Sequence, residues 1–546
     1  MENRGLQVFD FEALNWNKPY AVGIFDGLEF KSLAEPDRDN SYFCGWLLDN
    51  LKEDIISYAH NGGRYDFMFI LRFCEDLNLK PYGFKIINGT VAEFRLIYKK
   101  KRLIFRDSFL ILPSSLKRLT YDFDVAHKKL EMDYDVGLKD KRFNEYFKND
   151  VLGLYEVLIS SGLTTHLTIA SNSLDVFKRD FYKREMERNT DNYERIFRDA
   201  YKGGRTEIFK LYGKDLNYYD INSLYPSVMR DFQYPLPIKD NFKRVYNFNP
   251  DKLGLYSVSF RIEGLNVPVL WTKKDSKLIF AVGNMKGLYY TSEIKKALEM
   301  GYQIKVDYGY EFIKTDYIFR DFVEHFYAIK RNSTGSKKAL AKLMLNSLYG
   351  KFGQKRNREI FTIIKDGTNS NMNLKIKKYW DETSNFVHPE IAGMITANAR
   401  TRLYELFQKA GLEHVYYCDT DSIITDSSLK TSNELGDVKL EDKIKEYVAL
   451  SPKVYAFKNL KNEIKIKTKG FKADNFEFKD FKNGLFNGDL SKFKEERERI
   501  SSFKERFKRN NVNNFADLIK IKKELRSFYD KREILKDFNT APFNIL

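Results

Sequence analysis

Short apolar runs alternate with stretches of helical spacing over the first 160 residues. Residues 6–11, 20–25, 87–98 and 103–105 read as strands, with apolar positions at helical intervals between them. That alternation predicts an α/β domain on a mixed sheet. Residues 166–200 are charged and helical in pattern, and Tyr201-Lys202-Gly203-Gly204 then breaks the chain, which places a boundary there. Beyond it a second strand-rich region begins. Residues 336–350 are helical, 357–390 polar and strand-like, and 414–425 read as strand, tight turn, strand. Residues 491–540 hold 15 Lys or Arg against 9 Asp or Glu on a helical pattern, so charged helices are expected there rather than another sheet. No internal repeat is found.

Composition sharpens this picture. A chain of 546 residues, 43% hydrophobic and 15% aromatic, can fill several cores, so a multidomain protein is expected. With only 12 Pro and 30 Gly and no Ser, Gln or Pro tract, long disordered linkers are not expected. The 93 basic against 76 acidic residues leave +17, which suggests a polyanionic partner, nucleic acid first; a merely soluble basic protein is the bland alternative. Cys44, Cys74 and Cys418 share no metal-ligand spacing, which argues against a zinc ribbon or a disulfide framework and for a reducing, cytoplasmic setting. The start Met1-Glu2-Asn3 is acidic, and apolar runs such as 67–71 fall short of the roughly 18 residues a membrane span needs, so neither secretion nor a membrane is expected.

Two groups of carboxylates carry candidate chemistry. In Val8-Phe9-Asp10-Phe11-Glu12 the acids stand at i and i+2, so on a strand Asp10 and Glu12 share one face and Phe9 and Phe11 the other. Alone, that is an ordinary half-exposed strand. His60-Asn61-Gly62-Gly63-Arg64-Tyr65-Asp66 adds an acid after a glycine turn, and Tyr146-Phe147-Lys148-Asn149-Asp150 puts a tyrosine and an acid one helical turn apart. Four carboxylates from three segments can hold two divalent ions about 4 Å apart, an arrangement that activates water for phosphodiester hydrolysis. Tyr146 would orient that water.

The second group opens at Tyr218-Tyr219-Asp220-Ile221-Asn222-Ser223-Leu224-Tyr225-Pro226, a strand ending in an acid before a helix. Tyr416-Tyr417-Cys418-Asp419-Thr420-Asp421-Ser422 reads as a hairpin with acids at its tip. An isolated Asp-x-Asp turn is usually a solvated loop, but Asp220, Asp419 and Asp421 together could bridge a nucleoside triphosphate and a primer hydroxyl through two Mg²⁺ ions. Between them, Lys338, Lys342, Asn346 and Tyr349 fall within an arc of about 80° on a helix, with Leu340, Leu343, Met344 and Leu348 opposite. Such a stripe is normally just the wet face; here an amide and a ring stand in line with the lysines.

In order and spacing the first group resembles the three exonuclease motifs of family B DNA polymerases, and the second their polymerase signatures Asp-x-x-Ser-Leu-Tyr-Pro, Lys-x-x-x-Asn-Ser-x-Tyr-Gly and Tyr-x-Asp-Thr-Asp-Ser. The resemblance spans residues 8 to about 470 and is closest to the protein-primed branch of small linear-genome phages, with adenovirus and linear-plasmid enzymes as relatives. It implies an α/β and α+β multidomain fold: a ribonuclease H-like 3′–5′ exonuclease domain, then a right-hand polymerase of palm, fingers and thumb with two insertions. The implied divisions are exonuclease 1–165, linker helices and first palm part 166–282, a first insertion 283–327 for priming protein and DNA, and fingers 328–354. A second insertion for strand displacement and processivity follows at 355–390, then palm 391–450 and a primer-holding segment with a basic helical thumb 451–546. Ordinary palm elaboration is the alternative for 283–327.

By the same resemblance Asp10, Glu12, Asp66 and Asp150 hold exonuclease metals, with Tyr146 and Lys129 assisting; Lys128 is adjacent and could serve instead. Asn61, Tyr65, Ser108 and Phe109 would touch single-stranded DNA, where a ring can stack. Asp220, Ile221 and Asp421 would hold polymerase metals, with Asp419 less direct. Tyr225, Lys330, Lys338, Lys342, Asn346 and Tyr349 would bind the nucleotide, Tyr225 excluding a 2′-hydroxyl. Tyr201, Gly203 and Gly204 would couple the two sites, and Lys453, Tyr455 and Lys467 would hold the primer. The implied function is a proofreading DNA-directed DNA polymerase with two Mg²⁺ per site, Mn²⁺ able to substitute. It would act as a monomer on primer-template DNA and deoxynucleoside triphosphates, replicating a linear viral or plasmid genome from a terminal protein in the cytoplasm. Alternatives are the same chemistry from a nucleic-acid primer or none, and a non-catalytic basic nucleic-acid-binding protein.

Overall fold

The computed structural model describes residues 5–545 apart from 15–17, 88, 132–137, 139, 164–165, 366–371, 381–383, 503–504, 506–517 and 526–528. Parts of 1–165, 355–390 and 451–546 thus lie outside the described residues. Strands β1 (Leu6–Leu14), β2 (Lys18–Phe25), β3 (Phe30–Ala34), β4 (Ile56–Ala59), β5 (Tyr82–Ile87), β6 (Thr90–Tyr98) and β7 (Lys101–Asp107) form one sheet in the order β3-β2-β1-β4-β7-β6-β5. It is mixed, being parallel at β1/β4 and β4/β7 and antiparallel elsewhere. The strand expected over 87–98 forms from Thr90 as β6, its start displaced because Gly89 at φ 79° turns the chain out of β5.

The alternation in β1 acts as the sequence predicts. Phe9 and Phe11 join the core under the helices Asn40–Asn50 and Asp66–Asp76, and the opposite face meets the helix Phe143–Ser161. Asp10 pairs with Gly23 on β2, where a Cβ would come 2.9 Å from the Phe147 ring, so the bare backbone lets that helix lie close to the acids.

Past the boundary at 201, β8 (Thr206–Ile208) and β9 (Tyr212–Ile221) enter a second seven-stranded sheet. Its other strands are Val415–Asp419, Ser422–Thr425, Val438–Ser451, Val454–Asn459 and Ile464–Thr468, and every pairing is antiparallel. The buried helix Pro389–Ala410 supports it, and one core runs from the inner face of the first sheet through this region. The helices Arg320–Asn332 and Gly335–Ser347 pack as a hairpin. Residues 283–327 are not a separate lobe: Val282–Tyr290 and Gln303–Phe312 flank Gly254–Ile262 in one five-stranded sheet, so the division drawn at 283 falls inside a strand. Asn357–Lys365 and Met372–Trp380 form the strand pair expected in 357–390.

Of the charged helices expected over 491–540, 503–504, 506–517 and 526–528 lie outside the described residues, and elsewhere strands form instead. Lys494–Ile500 and Leu518–Glu524 are antiparallel strands. Their register sets Lys494 against Glu524, Glu496 against Lys522 and Glu498 against Lys520, so the charge run is stabilised across strands rather than along a helix. Residues 529–541 then return to β8. The Ile208 amide donates to the Tyr529 hydroxyl at 2.9 Å, and the Thr540 hydroxyl donates to the Ile208 carbonyl at 2.8 Å. Arg532, fully buried, lies 3.8 Å from Glu207, which also pairs with Arg205 at 2.6 Å.

Candidate active sites

The first site gathers on the inner face of β1. Asp10, Glu12 and Asp150 each bring a carboxylate oxygen to within 4.8 Å of the others. Asp66 heads its helix beside them. Its Oδ1 accepts the Phe11 amide at 3.0 Å, while its Oδ2 and Asp150 Oδ1 are buried acceptors with no hydrogen bond. Burial, compounded by Asp66, Glu12 and Asp150, pushes Asp10 well above the carboxylate range; burial raises Glu12 to about 7 and Asp66 to about 8. Asp150 shifts upward too, opposed by Lys129, whose ammonium donates to it and lies 3.4 Å from the Tyr146 hydroxyl. Lys128 turns away to Asp124 at 2.5 Å, so of the two adjacent lysines Lys129 is the one that meets the acids. Acids crowded with unpartnered oxygens in low dielectric hold either protons or cations, and an all-oxygen donor set suits a hard divalent ion.

Around this pocket the strand-contact expectations divide. Asn61 turns the chain at φ 62° and, like Tyr65, stays half-buried, with the Tyr65 ring 5.3 Å edge-on to Phe69. Phe109 is half-buried beside the His60 ring at 5.6 Å. Ser108 is a correction: it is fully buried, its hydroxyl donating to the Ala59 carbonyl at 3.2 Å and lying 3.0 Å from His60 Nδ1, so it shapes the wall instead of meeting a strand. Asp107, next to Ser108 in the same segment, accepts the Gly63 amide at 3.2 Å and the Phe109 amide at 2.9 Å and fastens the glycine turn.

The second site sits on the second sheet. Asp220 at the end of β9 stands opposite Ser422, and the Ile221 amide donates to the Asp421 carbonyl at 2.7 Å, which ties strand to hairpin. Burial pushes the Asp220 carboxyl up to about 7, with Asp421 the next cause, and burial raises Asp421 as well. Asp419 is engaged otherwise: its Oδ1 takes Lys453 at 2.9 Å and the Thr206 hydroxyl at 2.9 Å. Thr420 makes the turn at φ 63°, its amide held by the Arg205 carbonyl at 2.7 Å. A Cβ on Gly204 would come 2.8 Å from the Thr420 side chain, and the Lys202 and Gly203 carbonyls accept Arg400 at 2.9 and 2.8 Å. The Tyr201 ring packs on Gly353, beyond the fingers helix. The Tyr201-to-Gly204 element thus touches both the acidic turn and the end of the fingers.

The helical hairpin supplies positive charge. Lys338, Lys342 and Asn346 are exposed and Tyr349 half-buried, while Ala341, Met344, Leu345 and Leu348 face inward. Leu340 and Leu343, expected inside, are half-buried at the edge. Lys330 comes from the neighbouring helix and donates to the Ser223 hydroxyl at 2.8 Å; burial, then Lys342 and Lys338, lower its ammonium. Tyr225 and Tyr349 stack 4.7 Å apart at 14°. Lys453 reaches the site and Lys467 is exposed, but Tyr455 is a correction: it is buried against Tyr417 at 5.0 Å and supports the sheet instead of presenting its ring to a primer.

Comparisons with known proteins agree with this layout. A family model described as DNA polymerase type B, organellar and viral, matches residues 50–143 and 139–427. The chain is 27% identical to a "Probable DNA polymerase" of Neurospora intermedia over 73% of its own length and 51% of the relative's, so it spans about half of that protein. It is 29% identical to the DNA-directed DNA polymerase of Enterobacteria phage PRD1, covering 85% of each. In fold it is similar to phi29 DNA polymerase solved with primer-template DNA and incoming nucleotide, at a TM-score of 0.75 and 21% identity over 96% of this chain and 100% of the other.

Proposed function

Since the chain belongs to the DNA polymerase type B, organellar and viral, family, we propose that it is a DNA-directed DNA polymerase with its own 3′–5′ exonuclease, acting on primer-template DNA and deoxynucleoside triphosphates. The observation that carries this is the presence of two separate acidic centres, one at Asp10, Glu12, Asp66 and Asp150 and the other at Asp220 and Asp421 beside the Tyr225–Tyr349 stack and the lysines. Mg²⁺, or Mn²⁺ in its stead, fits both donor sets, and the orphaned oxygens of Asp66 and Asp150 support it at the first. When bound, such ions polarise phosphoryl oxygens and stabilise the leaving oxygen.

The chain's own residues divide the remaining work. Lys330, Lys338 and Lys342 neutralise the triphosphate, and the Tyr225–Tyr349 stack seats the sugar and base. Asp220 and Asp421 hold the cations, and Asp419 orients Lys453 toward the primer. At the other centre Lys129 and the Tyr146 hydroxyl hold the attacking water in line with the scissile phosphate. Asn61, Tyr65 and Phe109 line the approach of the frayed strand.

Priming by a terminal protein is the finer part of the reading. It rests on the resemblance to the protein-primed branch, with residues 283–327 as the surface for that protein and 355–390 closing over the template. Replication of a linear genome as a monomer in a host cytoplasm follows from it. The test is a labelled primer-template incubated with Mg²⁺, with and without nucleotides. Extension with them and 3′–5′ shortening without them are expected; binding without either reaction overturns the proposal in favour of a non-catalytic nucleic-acid-binding protein.

A further inference from the structure

The helix Phe143–Ser161 does more than carry Tyr146 and Asp150. Asn149, Gly153 and Glu156 follow on it at spacings of three and four residues, and all three meet the segment that bears Lys129. The Asn149 side-chain amide donates to the Lys128 carbonyl at 3.2 Å. Glu156 takes the His127 amide at 3.0 Å and lies 2.6 Å from His127 Nδ1. At Gly153 the backbone of the segment rests directly on the helix, and a Cβ there would come 2.4 Å from the His127 carbonyl oxygen. From the other side the Lys129 amide donates to the buried Thr120 hydroxyl at 3.2 Å, leaving Lys129 over Asp150 and its neighbour Lys128 with Asp124.

We propose that Asn149, Gly153 and Glu156 are positioning residues that clip residues 127–129 to this helix and so set which of two adjacent lysines meets Asp150 and Tyr146. The proposal rests on the exonuclease reading. Because ligand, water-orienting hydroxyl and lysine then hang from one helix, their mutual geometry survives movement of the helix as a body. A displacement of about 1 Å at a reacting group lowers a rate by on the order of 100-fold, so breaking the clip should be felt in turnover more than in strand binding.

The test compares Gly153→Ala and Glu156→Ala with Lys129→Ala in the full chain. Each clip variant should lower kcat for single-strand degradation roughly 10- to 100-fold with KM and primer extension unchanged. In the Lys129→Ala background the same changes should add less than about a twofold loss. Independently of activity, acylation of the Lys129 amine in the metal-free protein, mapped by mass spectrometry, should quicken in both clip variants. Losses that multiply in the Lys129→Ala background, or unchanged labelling of Lys129, overturn the proposal. If the wild type degrades no strand, it is the exonuclease reading that fails, and the labelling still decides whether the clip holds the lysine.

Discussion

Replacing Glu12 with glutamine should stabilise the metal-free protein at pH 8 while ending strand degradation. Burial raises this carboxyl from an ordinary 4.5 to about 7, with Asp150 adding to the rise and Lys129 opposing it. Between those values the folded chain keeps a proton that the unfolded chain has released. Stability is therefore whole below pH 4.5 and is lost as pH climbs through about 7. The gap from 4.5 to about 7, at about 1.4 kcal/mol per pH unit, comes to on the order of 3 kcal/mol for this carboxyl. Glutamine keeps the shape without the charge and should escape that loss. Urea unfolding in EDTA should find the variant little changed at pH 5 and more stable than wild type at pH 8. Added Mg²⁺ should stabilise the wild type more than the variant, since binding to the folded state alone shifts the equilibrium by mass action. A variant less stable than wild type at pH 8 in EDTA, or a difference equal at both pH values, would refute the reasoning.

Asp421→Ala should abolish nucleotide incorporation in a primer-extension assay and leave degradation intact, whereas Asp419→Ala, which frees Lys453 and Thr206 instead of removing a cation ligand, should cost less. Tyr225→Val removes half of a ring stack and should raise ribonucleotide incorporation relative to deoxyribonucleotide; an unchanged ratio in single-nucleotide kinetics would reject that role. Lys342→Ala loses a charge-assisted phosphate contact of on the order of 1.5–3 kcal/mol, so nucleotide use should weaken at least about tenfold. Primer-template affinity and its salt dependence should hold; a fall in those alone would make the helix a duplex-binding face.

What could be read beforehand was whatever chemistry lies within a few residues. Asp10 with Glu12, and Asp419 with Asp421, repeat at the period of a strand, so their shared face or shared turn follows from local geometry. The stripe from Lys338 to Tyr349 follows likewise from the helical period. What escaped depends on partners far away in the chain. Lys128 and Lys129 are indistinguishable until Asn149 and Glu156 dock against their segment. Lys330, which the resemblance alone had named, meets Lys338 and Lys342 through the packing of two helices as a hairpin, a contact no local period shows. Ser108 and Tyr455 sit in motif-like positions, yet tertiary burial removes their side chains from any surface. The tail misled because a run of mixed charge suits a helix or a strand equally; the alternation Ile519-Lys520-Ile521-Lys522 was the signal for the strand that forms.

The return of residues 529–541 to β8 bears on the order in which the molecule matures during translation. β8 pairs with the strand that ends in Asp419, and its Thr206 holds that carboxylate, so the second centre depends on Tyr529, Arg532 and Thr540 being in place. The first sheet and the helix carrying Asp150 are complete once residue 161 has been made. At roughly 5–20 residues per second, a ribosome needs on the order of 20 to 75 s to travel from there to Thr540. For that interval the nascent chain holds all four acids of the first centre and an unfinished second centre, with the edge of β8 uncovered. Limited proteolysis of stalled nascent chains should find the first domain resistant while 206–208 is still open to cleavage, and protection of the latter should arrive only with residues 529–541.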